Sequence, residues 1–291
     1  MTSSKRERRW RRLLAVPVVL VLVALVAGLG FVLWIRVTPI DADTETAVAL
    51  STRVLHGEDA LEAQALGSLA GAMERSPRDG RAALWFGLAN MHGFLRAREL
   101  PYAIRASRAF DRAVELSPED TSAAGWRAFW RYQAGRTRGE DLGALREELL
   151  AASERDPRFT PFLAAVALAP MPLSSGYPRR VLAPLEAISD CGDGTSHSCR
   201  TGPLFPHGAE GYHATLGDLR ARLGDVEGAR AEHALALQMP NAASWRYRAD
   251  FEAWSAGVED RARLLTNDDD ADDPSVFFLT GERACAGCHA E

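Results

Sequence analysis

The sequence lacks the patterns that mark β-sheet folds and most enzyme classes. No stretch of its 291 residues alternates apolar and polar side chains as a half-buried strand does. It contains no glycine-rich phosphate loop, no serine–histidine–aspartate arrangement and no carboxylate pair with an identifiable catalytic context. Apolar residues instead recur at spacings of three and four, which predicts an all-α fold. These absences favour an electron carrier or a binding scaffold over an enzyme.

Lysine is almost absent and positive charge is in deficit. Lysine occurs once, at Lys5, and beyond residue 36 the chain has 27 arginines against 38 acidic residues, a net charge of −11. A surface of this sign repels phosphate backbones and anionic lipid headgroups. We therefore expect no nucleic-acid partner, whereas a basic or neutral protein partner is compatible with the charge.

Cysteine is scarce too, with four residues in two separated pairs. The second pair lies in Cys285-Ala-Gly-Cys288-His289, and Cys-x-x-Cys-His is the attachment signature of c-type haem. Two thiols at this spacing can each bond one vinyl group on the same edge of a porphyrin. The next residue then lies under the iron. The pattern predicts one covalent haem c, attached through Cys285 and Cys288, with His289 as an axial iron ligand.

Three other interpretations of this motif are possible from the residues. A structural zinc site needs four ligands, and the other cysteines lie far upstream. A redox-active Cys-x-x-Cys normally opens a helix in a βαβ unit, a pattern that this sequence lacks. A chance match is the third. Thiol exchange does not need His289, whereas haem ligation does, and this favours the haem.

An apolar run from residue 13 to 35 contains 23 residues and no charge, and it follows a basic segment, residues 1–12. About 20 apolar residues cross a bilayer core. The positive flank stays in the cytoplasm, which predicts a single-pass anchor in the inner membrane with the bulk of the chain in the periplasm or outside. A cleaved signal peptide is the alternative, but no small-x-small cleavage site follows Trp34.

Three segments repeat one arrangement of packing residues, with spacings of four, three and five that end on a proline. A fourth segment, residues 209–240, has a turn at Gly224-Asp225 and the same first two spacings, with Pro240 one position early. The packing residues are Ala65, Leu69, Ala72 and Pro77; Ala106, Phe110, Ala113 and Pro118; Leu145, Leu149, Ala152 and Pro157; and Ala229, His233 and Ala236.

This arrangement resembles the second helix of a tetratricopeptide repeat, in which small residues allow close helix pairing and a proline ends the unit. The resemblance covers residues 44–157 and 209–240. It implies a superhelix of α-hairpins over residues 44–257, of the kind that holds peptides on its concave face. The prolines are 41 and 39 residues apart rather than 34, and we assign the excess to the turns at 96–101 and 136–140.

Aromatic residues at the first helices of these hairpins have two interpretations. They either line the concave face or fill the hairpin cores, and the second is the more frequent use of such rings. The residues concerned are Trp85, Phe86, Trp126, Phe129 and Trp130.

Residues 158–208 break the pattern and predict two further helices followed by a loop. Cys191 and Cys199 close the glycine- and serine-rich loop 191–199, and in an oxidising compartment a disulfide is expected, stabilising the fold by roughly 2–3 kcal/mol. A metal site formed by Cys191, His197 and Cys199 is the alternative, although it lacks a fourth ligand.

The end of the chain predicts one more helix carrying Trp245, Tyr247, Phe251 and Trp254, an acidic linker at 258–284, and the haem-attachment motif at 285–291. The stretch from Thr266 to Ala284 could reach about 65 Å when extended. On this basis the haem could lie against the repeats or swing away from them.

The second axial ligand of the iron stays open. Only two residues follow His289, so this ligand comes from upstream, from a partner or from water. The upstream candidates are the methionines together with His56, His92, His197, His207, His213 and His233, of which His207 and His213 are preferred.

Two functions of different class fit these observations. The first is an electron-transfer protein whose repeats dock a redox partner protein. The second is a periplasmic scaffold, because membrane-anchored repeat proteins of cytochrome c maturation are similar in layout and bind apocytochrome peptides. In that case the terminal cysteines would handle thiols or haem transiently.

Overall fold

The structure, a computed structural model, is built from α-helices. It describes residues 41–55, 58–156, 159–188, 208–239, 242, 243, 245, 247–267, 269, 272–274, 276 and 277. Within those residues there are twelve α-helices and no β-strand, so the all-α prediction is confirmed.

The helices are α1 Asp41–Leu55, α2 Glu62–Arg75, α3 Gly80–Ala97, α4 Leu100–Leu116, α5 Thr121–Arg138, α6 Gly143–Arg155, α7 Thr160–Leu168, α8 Tyr177–Glu186, α9 Gly208–Arg222, α10 Val226–Gln238, α11 Arg248–Ala256 and α12 Val258–Leu265. Two short 3₁₀ helices, Asp59–Leu61 and Leu173–Ser175, precede α2 and α8.

Helices adjacent in sequence pack against each other in pairs. The pairs α3–α4, α5–α6, α7–α8 and α9–α10 are hairpins joined by short connections, and successive hairpins are also in contact. The first helices α5, α7 and α9 touch in series, while α11 and α12 cover the last hairpin. Successive hairpins are thus joined both through neighbouring helices and through the first helices of the later pairs.

Side-chain contacts between successive hairpins repeat with a nearly constant separation of 33 to 36 residues. Thr44 Oγ1 donates to Asp79 at 2.7 Å, and Thr121 Oγ1 donates to Asp156 at 3.4 Å; both separations are 35 residues. The same spacing joins further pairs, namely Arg96 with Glu62, Arg112 with the Pro77 carbonyl, Arg180 with Glu147, Arg220 with Glu186 and Trp254 with Asp218.

Aspartates cap the starts of three helices, two of them just after a repeat proline. Asp79 accepts hydrogen bonds from the backbone N–H groups of Arg81 and Ala82 at 3.0 and 3.2 Å. Asp120 caps α5 in the same way, and Asp225 caps α10 through the Gly228 N–H at 2.9 Å. Each side chain satisfies donors that the first helical turn leaves unpaired.

The three helical packing positions of each segment, twelve residues without the prolines, are buried on α2, α4, α6 and α10. The same four-three spacing also lies buried on three helices outside the four repeat segments predicted from the sequence. These are Ala47, Ser51 and Val54 on α1, Val181, Leu185 and Ile188 along α8 and just past its end, and Val258, Ala262 and Leu265 on α12.

The extra length between the prolines was assigned to the turns, and in the first hairpin this prediction is wrong. Only Arg98 and Glu99 separate α3 from α4, whose lengths are 18 and 17 residues, against 15 and 13 for α9 and α10. Continuous helix-forming sequence on both sides of the turn lengthens the helices themselves.

The acidic linker predicted at 258–284 also differs from the structure. Residues Val258–Leu265 form α12, whose apolar side chains pack on the preceding hairpin, and Phe277 is buried. Because an acidic run follows α12, its short apolar face is hard to recognise in the sequence. The helical unit therefore extends beyond the predicted boundary at residue 257.

The aromatic rings of the first helices lie in the core. Trp126 stacks on Phe159 with ring centroids 5.1 Å apart and lies 6.4 Å from Phe110, and Trp130 meets Phe94 edge to face at 5.7 Å. All but the half-buried Phe86 and Phe94 are buried, so the core interpretation is confirmed for Trp85, Trp126, Phe129 and Trp130.

The predicted membrane anchor, residues 13–35, lies outside the described residues. From α1 to α12, no helix combines the length and the apolar character that crossing a bilayer requires.

Candidate functional site

The predicted haem-attachment residues Cys285, Cys288 and His289 lie outside the described residues, as do Cys191 and Cys199 of the predicted disulfide loop. What the structure does describe is the chain leading to that motif, up to Phe277. Phe277 is held against the last hairpin by a buried carboxylate and an aromatic pocket, and Asp273 by a buried guanidinium.

The carboxylate is Asp218, in the middle of α9. Its Oδ2 accepts the backbone N–H of Phe277 at 2.8 Å. Its Oδ1 accepts the Trp254 Nε1–H at 3.0 Å and lies 3.5 Å from the Arg261 guanidinium. The Nε2 of His233 is also 3.5 Å from Oδ1, at the outer limit of a hydrogen bond. One side chain thus joins four segments of the chain, α10, α11, α12 and the tail.

The electrostatics of this centre favour an ionised carboxylate. Burial alone would raise the pKa of Asp218, but hydrogen bonding and charge from His233 oppose it. Together with smaller contributions from Trp254 and Arg261, they lower the pKa of this carboxyl below its ordinary value. A buried anion surrounded by donors is a firm attachment point, because removing any donor leaves charge uncompensated.

The guanidinium is Arg222, one helical turn after Asp218 and almost completely buried. It forms an ion pair with Asp273, and its Nε–H donates to the Met171 carbonyl at 3.1 Å. The acidic stretch was predicted to be solvated. Asp269 and Asp272 are exposed as expected, whereas Asp273 is partly buried because its charge is paired.

The pocket is aromatic. Phe277 is fully buried, and its ring lies 5.0 Å from Phe251, 5.7 Å from Trp254 and 6.1 Å from Trp245, centroid to centroid. These pairs are tilted or edge to face, the geometries that aromatic quadrupoles prefer. We call this surface the tail-docking cluster; its members are Asp218, Arg222, Trp245, Phe251 and Trp254.

A second buried pair lies nearby on the same hairpin. His213 Nδ1 is 2.7 Å from Glu232 Oε2, and the neighbouring Tyr212 donates its hydroxyl to the Leu185 carbonyl at 3.1 Å. Burial, followed by the charges of Glu232 and Glu186, raises the pKa of Tyr212 to about 12. Tyr212 therefore stays neutral and joins α9 to α8.

The three described histidines do not offer a ring to the surface. His92, His213 and His233 are each exposed by 3% or less, and His213 contacts Glu232. The burial of His213 and its contact with Glu232 therefore do not favour it as a second iron ligand. His56, His197 and His207 lie outside the described residues. Within the described ranges, no group of three histidine, cysteine or acidic side chains is arranged to hold a metal ion.

Sequence reasoning found the aromatic members of the cluster but missed Asp218, Arg222 and the docking of Phe277. The available signal was weak. Asp218 and Arg222 sit four residues apart on a helix flanked by apolar positions, which marks two charged groups for the buried face. Apart from His233, their side-chain partners and Phe277 are 36 to 59 residues away, and nothing local identifies them.

Comparison of the chain with protein-family models, with curated proteins and with solved structures finds no match.

Proposed function

We propose that the protein is a membrane-anchored, extracytoplasmic electron carrier similar to c-type cytochromes, with one covalent haem and no catalytic residues. The observation that carries the proposal is Cys285-Ala-Gly-Cys288-His289. The donor set fits the group: two thiols suit two thioether bonds, and an imidazole suits iron. When bound, haem supplies one-electron iron redox chemistry.

Each of the predicted sites and segments has its own role in this function. Cys285 and Cys288 hold the porphyrin, and His289 donates an imidazole nitrogen to the iron. Residues 13–35 anchor the chain in the inner membrane, so that the remainder faces the periplasm. The acidic surface, net −11 beyond the anchor, repels anions and suits a basic or neutral redox protein.

The helical hairpins would be the docking scaffold, and we propose that they form a tetratricopeptide-like superhelix. The support is the four-three packing spacing on the second helices, the small residues at the contacts, and the 33–36-residue separation of contacts between hairpins. A helical-repeat fold serves many partners, so the identity of the redox protein does not follow from it.

The test is a pyridine haemochrome spectrum after acid-acetone extraction of the full-length protein. Covalent haem stays with the polypeptide. Cys285→Ala and Cys288→Ala should each leave at most one thioether bond, while Cys191→Ala should leave both. Extraction of all haem into the solvent would overturn the proposal.

The second candidate is a periplasmic scaffold or cytochrome c assembly factor that uses Cys285 and Cys288 for thiol or transient haem handling. The combination of a predicted anchor, helical hairpins and a Cys-x-x-Cys pair supports it. His289→Ala separates the two functions. Thiol–disulfide exchange with a reduced apocytochrome peptide would survive this change in an assembly factor, whereas an electron carrier would lose its iron ligand.

A further inference from the structure

The tail-docking cluster lies on the path to the haem motif, and its contacts have a direction. Asp273 meets Arg222, and Phe277 meets Asp218, four residues earlier on α9. Between Asp273 and Phe277 the tail therefore runs antiparallel to α9.

Docking shortens the tether of the motif. Cys285 is eight residues beyond Phe277, a reach of at most about 28 Å when fully extended. A linker free from Thr266 onward would reach about 65 Å. The volume open to the motif is therefore roughly ten times smaller with the tail docked, and it is centred on the last hairpin.

The contacts are of a kind that holds a segment in place. Phe277 buries its whole side chain among three aromatic rings, and its backbone N–H is bound by an ionised carboxylate. The Arg222–Asp273 ion pair is largely shielded from water. Leaving these sites would expose an aromatic pocket and strand two buried charges.

We propose that the tail-docking cluster is a positioning site for the haem-bearing tail, holding Asp273 and Phe277 on α9 so that the Cys285–His289 motif is tethered beside the α9–α10 hairpin. This inference rests on the proposed electron-transfer function. It places the redox centre at one end of the repeat stack, and a partner must approach that end to exchange electrons.

The first test needs no haem. Hydrogen exchange of the full-length protein, followed by mass spectrometry, reports the amide of Phe277. Asp218→Asn keeps the shape of the side chain but turns an N–H₂ group toward one of its donors. Phe277→Ala removes the ring from the tail side without altering a helix. Both changes should speed exchange of the 273–277 segment at least about tenfold, while α9 and α10 stay protected.

Asp250→Asn is the matched control, because Asp250 is an exposed carboxylate on the neighbouring helix α11. It should leave the exchange rate unchanged. If the 273–277 segment exchanges equally fast in the unsubstituted protein and in Phe277→Ala, the tail is not held and the proposal fails.

The second test measures where the iron lies. A nitroxide at Ala234→Cys on α10, in a chain with Cys191 and Cys199 replaced by serine, gives a distribution of distances to the ferric haem by pulsed electron paramagnetic resonance. Docking predicts a narrow distribution that Phe277→Ala broadens at least about twofold. Equal widths in a haem-bearing chain overturn the positioning role alone, whereas a chain without covalent haem overturns the proposed function as well.

Discussion

At the scale of single residues, two glycines set how closely paired helices approach. A Cβ at Gly217 would lie 2.3 Å from His233 Cδ2, and one at Gly87 would lie 2.7 Å from Phe110 Cε1. These partners occupy the middle packing position of their second helices. The glycine on the first helix therefore leaves the space that the ring on the second helix occupies.

Gly217→Ala should destabilise the protein by about 1–3 kcal/mol, because a methyl group there must displace a ring in a packed core. Gly67→Ala on α2 is the control, since a Cβ there meets nothing within 4 Å. It should gain about 0.5–1 kcal/mol from helix propensity. Urea unfolding of both variants measures this, and a Gly217→Ala variant as stable as Gly67→Ala would contradict the close approach.

Two equivalent helix ends use different residues in the same backbone conformation. Arg98 follows α3 with φ 58°, and Gly139 follows α5 with φ 68°. Left-handed backbone costs an L-residue about 1–2 kcal/mol, partly offset by the chain entropy that glycine loses on folding.

Arg98→Gly should therefore stabilise the protein by up to about 1 kcal/mol, whereas Gly139→Ala should destabilise it by a similar amount. A Cβ at Gly139 meets nothing within 4 Å, so its cost would be conformational rather than steric. Thermal unfolding monitored by circular dichroism compares the two variants. A shift of the same sign in both would argue against a backbone origin.

At the scale of elements, the four-three spacing was recognised in four second helices and is buried in all of them. It was overlooked on α8, where Pro178 and Pro184 obscure the helical pattern, and on α12, where an acidic run follows. Periodicity was present in both sequences. The prolines of α8 and the acidic residues after α12 made it hard to recognise, although the positions are buried in the folded protein.

The junction of α9 with α10, α11 and α12 should be sensitive to acid. The pKa of Asp218 is lowered in the folded protein, so its contribution to stability is complete above its unfolded pKa of about 3.9 and is lost as pH falls through the folded value. The groups facing it are His233, Arg261, the Trp254 indole and the Phe277 amide.

The free energy of unfolding of the unsubstituted protein, minus that of Asp218→Asn, should therefore shrink as pH drops below about 4. Urea titrations of both proteins from pH 3 to pH 6 measure the difference. Asp250→Asn should show no such trend. A difference that grows toward acid pH would mean that Asp218 is protonated in the folded protein.

At the scale of the whole molecule, the second axial ligand decides the spin state of the proposed carrier's iron. The described histidines, His92, His213 and His233, are buried. Among the described methionines, Met171 is the one joined to the tail-docking cluster, through its carbonyl and Arg222.

We expect the isolated protein to have a high-spin or mixed-spin ferric haem that binds added imidazole or cyanide readily. Electron paramagnetic resonance of dilute protein tests this expectation, and a low-spin signal should form when imidazole is added. A clean low-spin signal without additions, abolished by Met171→Leu or by replacing one upstream histidine, would show that the chain supplies the second ligand.

The sequence by itself determined the all-α class and the buried positions of the second helices. These features depend on side chains within a few residues of each other, so helical periodicity reveals them. The Cys-x-x-Cys-His motif is local in the same sense, and the function proposed from it rests on that local chemistry.

Only the tertiary structure decided that the acidic tail folds back onto α9. Asp218 and Phe277 are 59 residues apart, and Arg222 and Asp273 are 51 apart. A run of aspartates is soluble in isolation and indicates a linker. It is held on the fold because the buried Arg222 supplies the opposite charge, and because Trp245 and two rings of α11 form an aromatic pocket around Phe277.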